Sequence, residues 1–220
     1  MIALAVCLLC TAQGKEEPSE LERQPAGWID LLAESGPELK GWTRGPIPPN
    51  GKLREASQWS YDRATGTLVC EGDGGHEWLR WNRELDDFTY HVEWRFTPIE
   101  GKGGYNSGIY VRNSSDARVW HQAQTGGGSG GFLFGETPVG GELKRFNLSK
   151  EVKAQRVKPA GEWNTFEISC RGPKVRLWVN GAETCVWDDC RATKGYVGLE
   201  AEGYRIEFRN VKVRPAGPGA

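Results

Sequence analysis

The chain has 220 residues, a formal net charge of −1, 30 glycines and 10 tryptophans. That length suits one domain with a sizeable core, and the near-neutral charge offers nothing to nucleic acid or to an anionic membrane surface. Many glycines between many short apolar runs predict turns between strands, hence an all-β protein.

Residues 2–9 form an apolar run too short to span a bilayer, so no membrane span is expected. Small residues follow at Cys10-Thr11-Ala12 and Ala12-Gln13-Gly14, the spacing a signal peptidase needs. Residues 1–14 therefore read as a signal peptide, although a basic n-region is missing, and the protein is expected to be exported to the periplasm or cell surface. Residues 15–26, charged and holding Pro18 and Pro25, read as a linker to a domain over 27–214, with 215–220 as a loose tail. Beyond the signal, Cys70, Cys170, Cys185 and Cys190 allow three full pairings, and Cys185 with Cys190 could close a small loop. Among these four no C-x-x-C pair is present, which argues against a structural zinc site.

A first strand is expected at Gly27–Leu32 and a turn at Pro37–Trp42. Gly45–Gly51, GPIPPNG, reads as irregular. Trp59–Glu71 reads as a hairpin turning at Asp62–Gly66. Phe88–Phe96 is the clearest strand: Phe88, Tyr90, Val92, Trp94 and Phe96 alternate with Thr89, His91, Glu93 and Arg95. The aromatic side is expected in the core and the charged side outside it.

Between Gly103 and Gly135 lie two more alternating runs. In Asn106–Arg112, Ser107, Ile109 and Val111 share one face, and Asn106, Tyr110 and Arg112 the other, with Gly108 leaving room between them. In Val119–Gln124, Trp120, Gln122 and Gln124 oppose Val119, His121 and Ala123. An amide, a phenol, a guanidinium and an indole on one sheet face suit a polyol such as a sugar. Gly126–Gly131 reads as a flexible rim loop, lacking the ending and the helix of a phosphate loop. Residues 136–160 read as polar and irregular, with a helical turn near Leu148–Ala154. Thr165–Cys170 and Lys174–Val179 are strands, the latter turning back at Asn180-Gly181, and Gly195–Ala201 and Arg205–Val213 close the fold. About eleven short strands with glycine turns predict a β-sandwich.

The order of Trp28-Ile-Asp-Leu-Leu32, Gly41-Trp42, Glu93-Trp-Arg95, Asn106-Ser-Gly-Ile109 with Arg112, Gly161-Glu-Trp-Asn164, Val179-Asn-Gly181, Gly198-Leu-Glu200 and Ile206–Val211 resembles the 3-keto-disaccharide hydrolase family, also described as 3-keto-glucoside 1,2-lyase/3-keto-2-hydroxy-glucal hydratase domains. The resemblance implies a concanavalin-like (laminin-G-like) jelly-roll β-sandwich of two antiparallel sheets, and action on glycosides already oxidised at C3. Two positions depart from the family pattern. The family often has Glu-x-Gln where this chain has Gln122-Ala-Gln124, and many relatives carry glutamine where this chain has Glu200. The two differences are read as an exchange of carboxylate position within one site.

A ketone at C3 acidifies the hydrogen on C2, so cleavage needs a base, an oxyanion partner and an acid for the leaving oxygen. Glu200, Glu93 and His91 are the candidate bases, whereas strand parity argues against His121. Arg112 and Arg95 are candidates for holding the oxyanion. Asn106, Gln122 and Gln124 could orient hydroxyls, and Trp120 and Tyr110 could stack on sugar faces. The loop carboxylates Asp86-Asp87 and Asp188-Asp189 read as polar turns, so no cofactor is expected, calcium being the one ion such sandwiches often bind. The expected partner is a 3-keto-glucoside or similar carbohydrate. A non-catalytic carbohydrate-binding or surface-adhesion module on the same fold is the alternative.

Overall fold

A computed structural model describes residues 16–217, and the expected signal peptide lies outside them. The first strands are β1 (Ile29–Asp30), β2 (Trp42–Pro46), β3 (Trp59–Asp62), β4 (Thr67–Cys70), β5 (Glu77–Trp81) and β6 (Phe88–Phe96). Next come β7 (Asn106–Asn113), β8 (Trp120–Gly126), β9 (Leu133–Val139) and β10 (Glu142–Asn147). The chain closes with β11 (Asn164–Arg171), β12 (Lys174–Val179), β13 (Ala182–Trp187), β14 (Tyr196–Ala201) and β15 (Ile206–Pro215). One short helix, α1 (Glu20–Arg23), precedes them. No helix among the described residues is long and apolar enough to cross a membrane.

The strands form two antiparallel sheets, the jelly-roll sandwich expected. One runs β13-β12-β11-β6-β15-β4-β3, with β1 also on β15; the other runs β10-β9-β8-β7-β14-β5-β2. Six of the fourteen consecutive strand pairs are sheet neighbours, and at the other eight the chain crosses between the sheets. The inward faces make the core. Phe88, Tyr90, Val92, Trp94 and Phe96 of β6 are buried, and they face Ile109, Val111, Ala123, Val197 and Leu199 of the other sheet. Each buried large apolar side chain stabilises the fold by roughly 1.5–3 kcal/mol before entropy is counted. The Trp59–Glu71 hairpin and the Asn180-Gly181 turn form as expected; both turn residues have positive φ, as a tight hairpin turn requires.

Five expectations change. Gly45-Pro46 is not irregular but ends β2, where an edge position tolerates the missing proline N–H. Residues 136–160 hold the end of β9 and all of β10, and the helical turn shrinks to Ser149–Glu151. Strand β10 is exposed at nearly every position, so it shows no apolar alternation to read. Residues 16–24 are not a free linker. Glu17 N–H donates to the Gly181 carbonyl (2.7 Å), and the first amides of α1, Glu20 and Leu21, donate to the Glu167 carboxylate at 2.5 and 3.0 Å. At the other end β15 continues through Pro215, and Ala216 N–H donates to the Asp87 carbonyl. The four described cysteines are buried free thiols, so Cys185 and Cys190 close no loop.

Candidate functional site

The site grows from strand register on the outward face of the β7–β8–β14 sheet. Tyr110 of β7 pairs with Gln122 of β8 on one side and with Gly198 of β14 on the other. Inward parity for Val197, Leu199 and Ala201 turns Gly198, Glu200 and then Glu202 outward. Gly108 lies between Gln124 and Glu200 with no side chain, and the Gln122 side chain leans over it: a Cβ at Gly108 would sit 1.9 Å from Gln122 Nε2. Gly198 likewise yields space to the Trp78 indole, which packs edge-on against Tyr110 at 5.6 Å.

Glu200 is the centre of this face and only 3 % exposed. Its Oε1 accepts from the Tyr110 hydroxyl (2.5 Å) and lies 2.8 Å from His76 Nε2, while its Oε2 accepts from Gln122 Nε2 (2.8 Å). A buried carboxylate is tolerable because every partner is a donor or a potential donor. Two residues on, Glu202 Oε2 accepts from Asn106 Nδ2 at 2.5 Å and lies 3.9 Å from His76 Nε2. Asn106 Oδ1 in turn accepts from Gln124 Nε2 at 2.7 Å. One polar network thus runs across three strands.

Charge follows from this packing. Burial raises the Glu202 carboxyl above its ordinary value, and the neighbouring Glu200 charge raises it further. Burial works against a charged His76, but the hydrogen bond and charge of Glu200 outweigh it and hold the imidazole above its usual range. Burial, then the charge of Glu200, push the Tyr110 phenol well above 10, so it stays a donor.

His76, Glu200 and Glu202 present ligand atoms within 4.8 Å of one another. A nitrogen with two carboxylates suits a transition-type divalent ion better than calcium, which takes six to eight oxygens. The loop carboxylates are engaged elsewhere: Asp87 by Arg112 and the Gly172 amide, Asp188 by Lys174 and Asp189 by Arg191.

The network floors a cleft of about 740 Å³. Ile47, Pro48 and Pro49 also line it, as do Trp120, Phe134 and Leu143. Arg118, Glu136 and Arg145 add charge to the lining. Of the residues singled out in the sequence, Glu200, Asn106, Tyr110, Trp120, Gln122 and Gln124 all meet here.

The other four do not. Strand β6 belongs to the opposite sheet, so its polar face looks away from the cleft. There His91 is buried beneath Trp28, with Nδ1 2.8 Å from Glu167 Oε1 and Nε2 3.8 Å from Glu93. Glu93 accepts from Arg209 and Asn210; although burial opposes it, these donors and His91 hold its carboxyl down at about 2. Arg95 pairs with Glu207 and lies over Trp163.

Arg112 departs from its expected parity. A register shift in the β7–β14 pairing and a φ of 51° turn it away from Tyr110. It is 0 % exposed and donates to the carbonyls of Asp86 (2.9 Å), Gly172 (2.5 Å) and Ala192 (3.2 Å) and to Asp87 Oδ1 (2.6 Å). It ties loops together. His121 is buried as parity predicts, with Nδ1 3.2 Å from the Val111 carbonyl.

Sequence reasoning missed His76 and Glu202. The second was legible, since Glu200-Ala-Glu202 at strand spacing places both carboxylates on one face. His76 precedes β5, a strand with no polar alternation, and nothing local marked it.

Solved structures of similar fold include two from Parabacteroides distasonis described as "putative glycosyl hydrolase". One is 20 % identical with TM-score 0.58, covering 86 % of this chain and 99 % of that one. The other is 17 % identical with TM-score 0.60, covering 93 % and 100 %. The carbohydrate-binding module CBM66 from Bacillus subtilis is 16 % identical with TM-score 0.55, covering 79 % of this chain and 95 % of its own. At these identities the likeness is one of fold. No curated protein matches the sequence. A sequence profile does: residues 27–214 match that of the 3-keto-alpha-glucoside-1,2-lyase-like domain. That match takes in both sheets and every strand of the cleft, and the chain belongs to this family.

Proposed function

We propose that the protein cleaves the glycosidic bond of 3-keto-glycosides by elimination across C1–C2 followed by hydration. The observation that supports this most is a buried carboxylate, Glu200, held by Tyr110, His76 and Gln122 at the floor of an open cleft. Glu200 takes the proton from C2, and the electron pair passes into an enolate on the C3 ketone. Collapse of the enolate forms the C1–C2 double bond and expels the glycosidic oxygen. Glu202, its carboxyl raised, is the acid that protonates that oxygen. Water then adds at C1 and a proton returns to C2, giving the free 3-keto sugar. The Gln122 amide gives one hydrogen to Glu200 Oε2 and has its second for the enolate oxygen, whereas Gln124 Nε2 is engaged by Asn106 Oδ1 and the Ser107 and Thr125 carbonyls. His76, with Nε2 2.8 Å from Glu200 Oε1, keeps the carboxylate oriented.

The apolar run over residues 2–9 supports export, which cell fractionation tests. The activity is tested by incubation with a 3-keto-glucoside and its unoxidised parent, following aglycone release. Release from the keto sugar alone is expected. Binding of both without release would leave a carbohydrate-binding module, and release from the parent alone would reject the keto-dependent route.

A further inference from the structure

The polar network occupies the floor of the cleft, and its flanks are different in kind. Hairpin β9–β10 extends the sheet, and its register decides which residues meet the cleft. Gln122 pairs with Phe134, Trp120 with Glu136, Glu136 with Arg145, and Pro138 with Leu143. All of these share the face that carries Gln122. The opposite face carries His121, Gly135 and Phe146, and Phe146 stacks on Trp187 at 3.8 Å, which fixes the hairpin to the core. The hairpin is therefore anchored from behind while presenting Phe134 and Leu143 in front. Leu143 is 47 % exposed, one of three large apolar side chains so exposed among the described residues.

Trp120 and Phe134 meet at 5.1 Å with their planes 87° apart, forming an apolar corner directly beside Gln122. Ile47, Pro48 and Pro49 line the cleft as well and carry no side-chain polar atom. Near the corner the polar side chains are Arg118, Glu136 and Arg145; the last two approach each other at 4.0 Å, and Arg145 also lies over the Trp120 ring at 5.7 Å. A second sugar would lay a C–H face on Trp120, but with Phe134 standing 87° to that ring its rim hydroxyls would meet a face that cannot answer them. A flat apolar ring would lie on one ring of the corner and meet the edge of the other, the arrangement aromatic groups favour.

We propose that Trp120, Phe134 and Leu143 form a leaving-group subsite for an aryl or arylalkyl aglycone. This rests on the activity proposed above: the sugar occupies the floor, and the aglycone occupies the corner next to Gln122. The substrates are then 3-keto-glycosides of aromatic alcohols in preference to disaccharides.

The test compares benzyl, methyl and glucosyl 3-keto-glucosides, in both anomers, on the full chain. Benzyl and methyl alkoxides are similar leaving groups, so their ratio reads the subsite and not the chemistry. The expected kcat/KM is about tenfold or more higher for benzyl than for methyl. In Phe134→Ala and Leu143→Ser the benzyl-to-methyl ratio falls toward one. The ratio is the readout, so a partly misfolded variant does not mimic the result. Equal rates for benzyl and methyl, a higher rate for the glucosyl compound, or a ratio unmoved by both variants would overturn the subsite. If no compound is cleaved, the activity fails separately, and calorimetric affinities of the same three ligands decide the subsite. Tighter benzyl binding that is lost in Phe134→Ala supports it, and equal affinities overturn it.

Discussion

Gln122 Nε2 donates to Glu200 Oε2 across 2.8 Å, joining the two positions that the sequence reading takes as an exchanged amide and carboxylate. The amide and the carboxylate face each other over Gly108, so an exchange of the two groups keeps one of each in the same place. Glu200→Gln is expected to lower kcat for a 3-keto-glucoside by about 10²–10⁴, the range for loss of a general base. The double variant Gln122→Glu/Glu200→Gln is expected to recover at least part of that loss. Full turnover by Glu200→Gln alone would remove Glu200 from the mechanism.

Gly108 is the gap that lets the Gln122 side chain reach Glu200. Gly108→Ala places a methyl where Gln122 Nε2 now lies, and is expected to cost about 1–3 kcal/mol of stability by overpacking. Adding Gln122→Ala removes the clash, so the double variant should be more stable than Gly108→Ala in urea denaturation. A double variant no more stable than the single one would mean that the backbone, not the amide, takes up the strain.

Arg112 contributes to stability through four hydrogen-bonding partners and lies outside the cleft lining. Arg112→Met takes the guanidinium from three carbonyls and from Asp87, which keeps only the Gly172 amide, and a loss of about 3–5 kcal/mol is expected. Chemical denaturation measures it. If the folded fraction kept its stability but lost turnover, Arg112 would instead be acting on the substrate.

His121 adds a pH dependence. Burial depresses its pKa from 6.5 to about 4, so the folded protein keeps it neutral where the unfolded chain protonates it. The unfolded state then binds more protons, and stability rises with pH across that window. Its full contribution is present above pH 6.5 and is lost as pH falls through about 4. The whole loss is on the order of 3 kcal/mol. His121→Gln is expected to flatten this part of the stability profile, measured as ΔG of unfolding against pH. An unchanged slope in the variant would assign the acid sensitivity to other groups.

Alternation in the sequence determined much of the site. Side chains on a strand point to opposite faces with a period of two, so Asn106, Tyr110, Trp120, Gln122, Gln124 and Glu200 could be placed on outward faces by parity alone. The aromatic face of Phe88–Phe96 was legible as core for the same reason. Parity says nothing, however, about which of two sheets a strand joins. The polar face of β6 was just as outward as that of β7, yet it lies on the far side of the sandwich, and with it His91, Glu93 and Arg95. Long-range pairing with β11 and β15 decided that. Parity also fails across an irregular register, which is why Arg112 lies buried and not beside Tyr110. His76 reaches Glu200 from 124 positions away in the chain, a contact that only the packing of β5 against β14 creates. The strand faces were local properties of the sequence; the company each face keeps was settled by tertiary pairing.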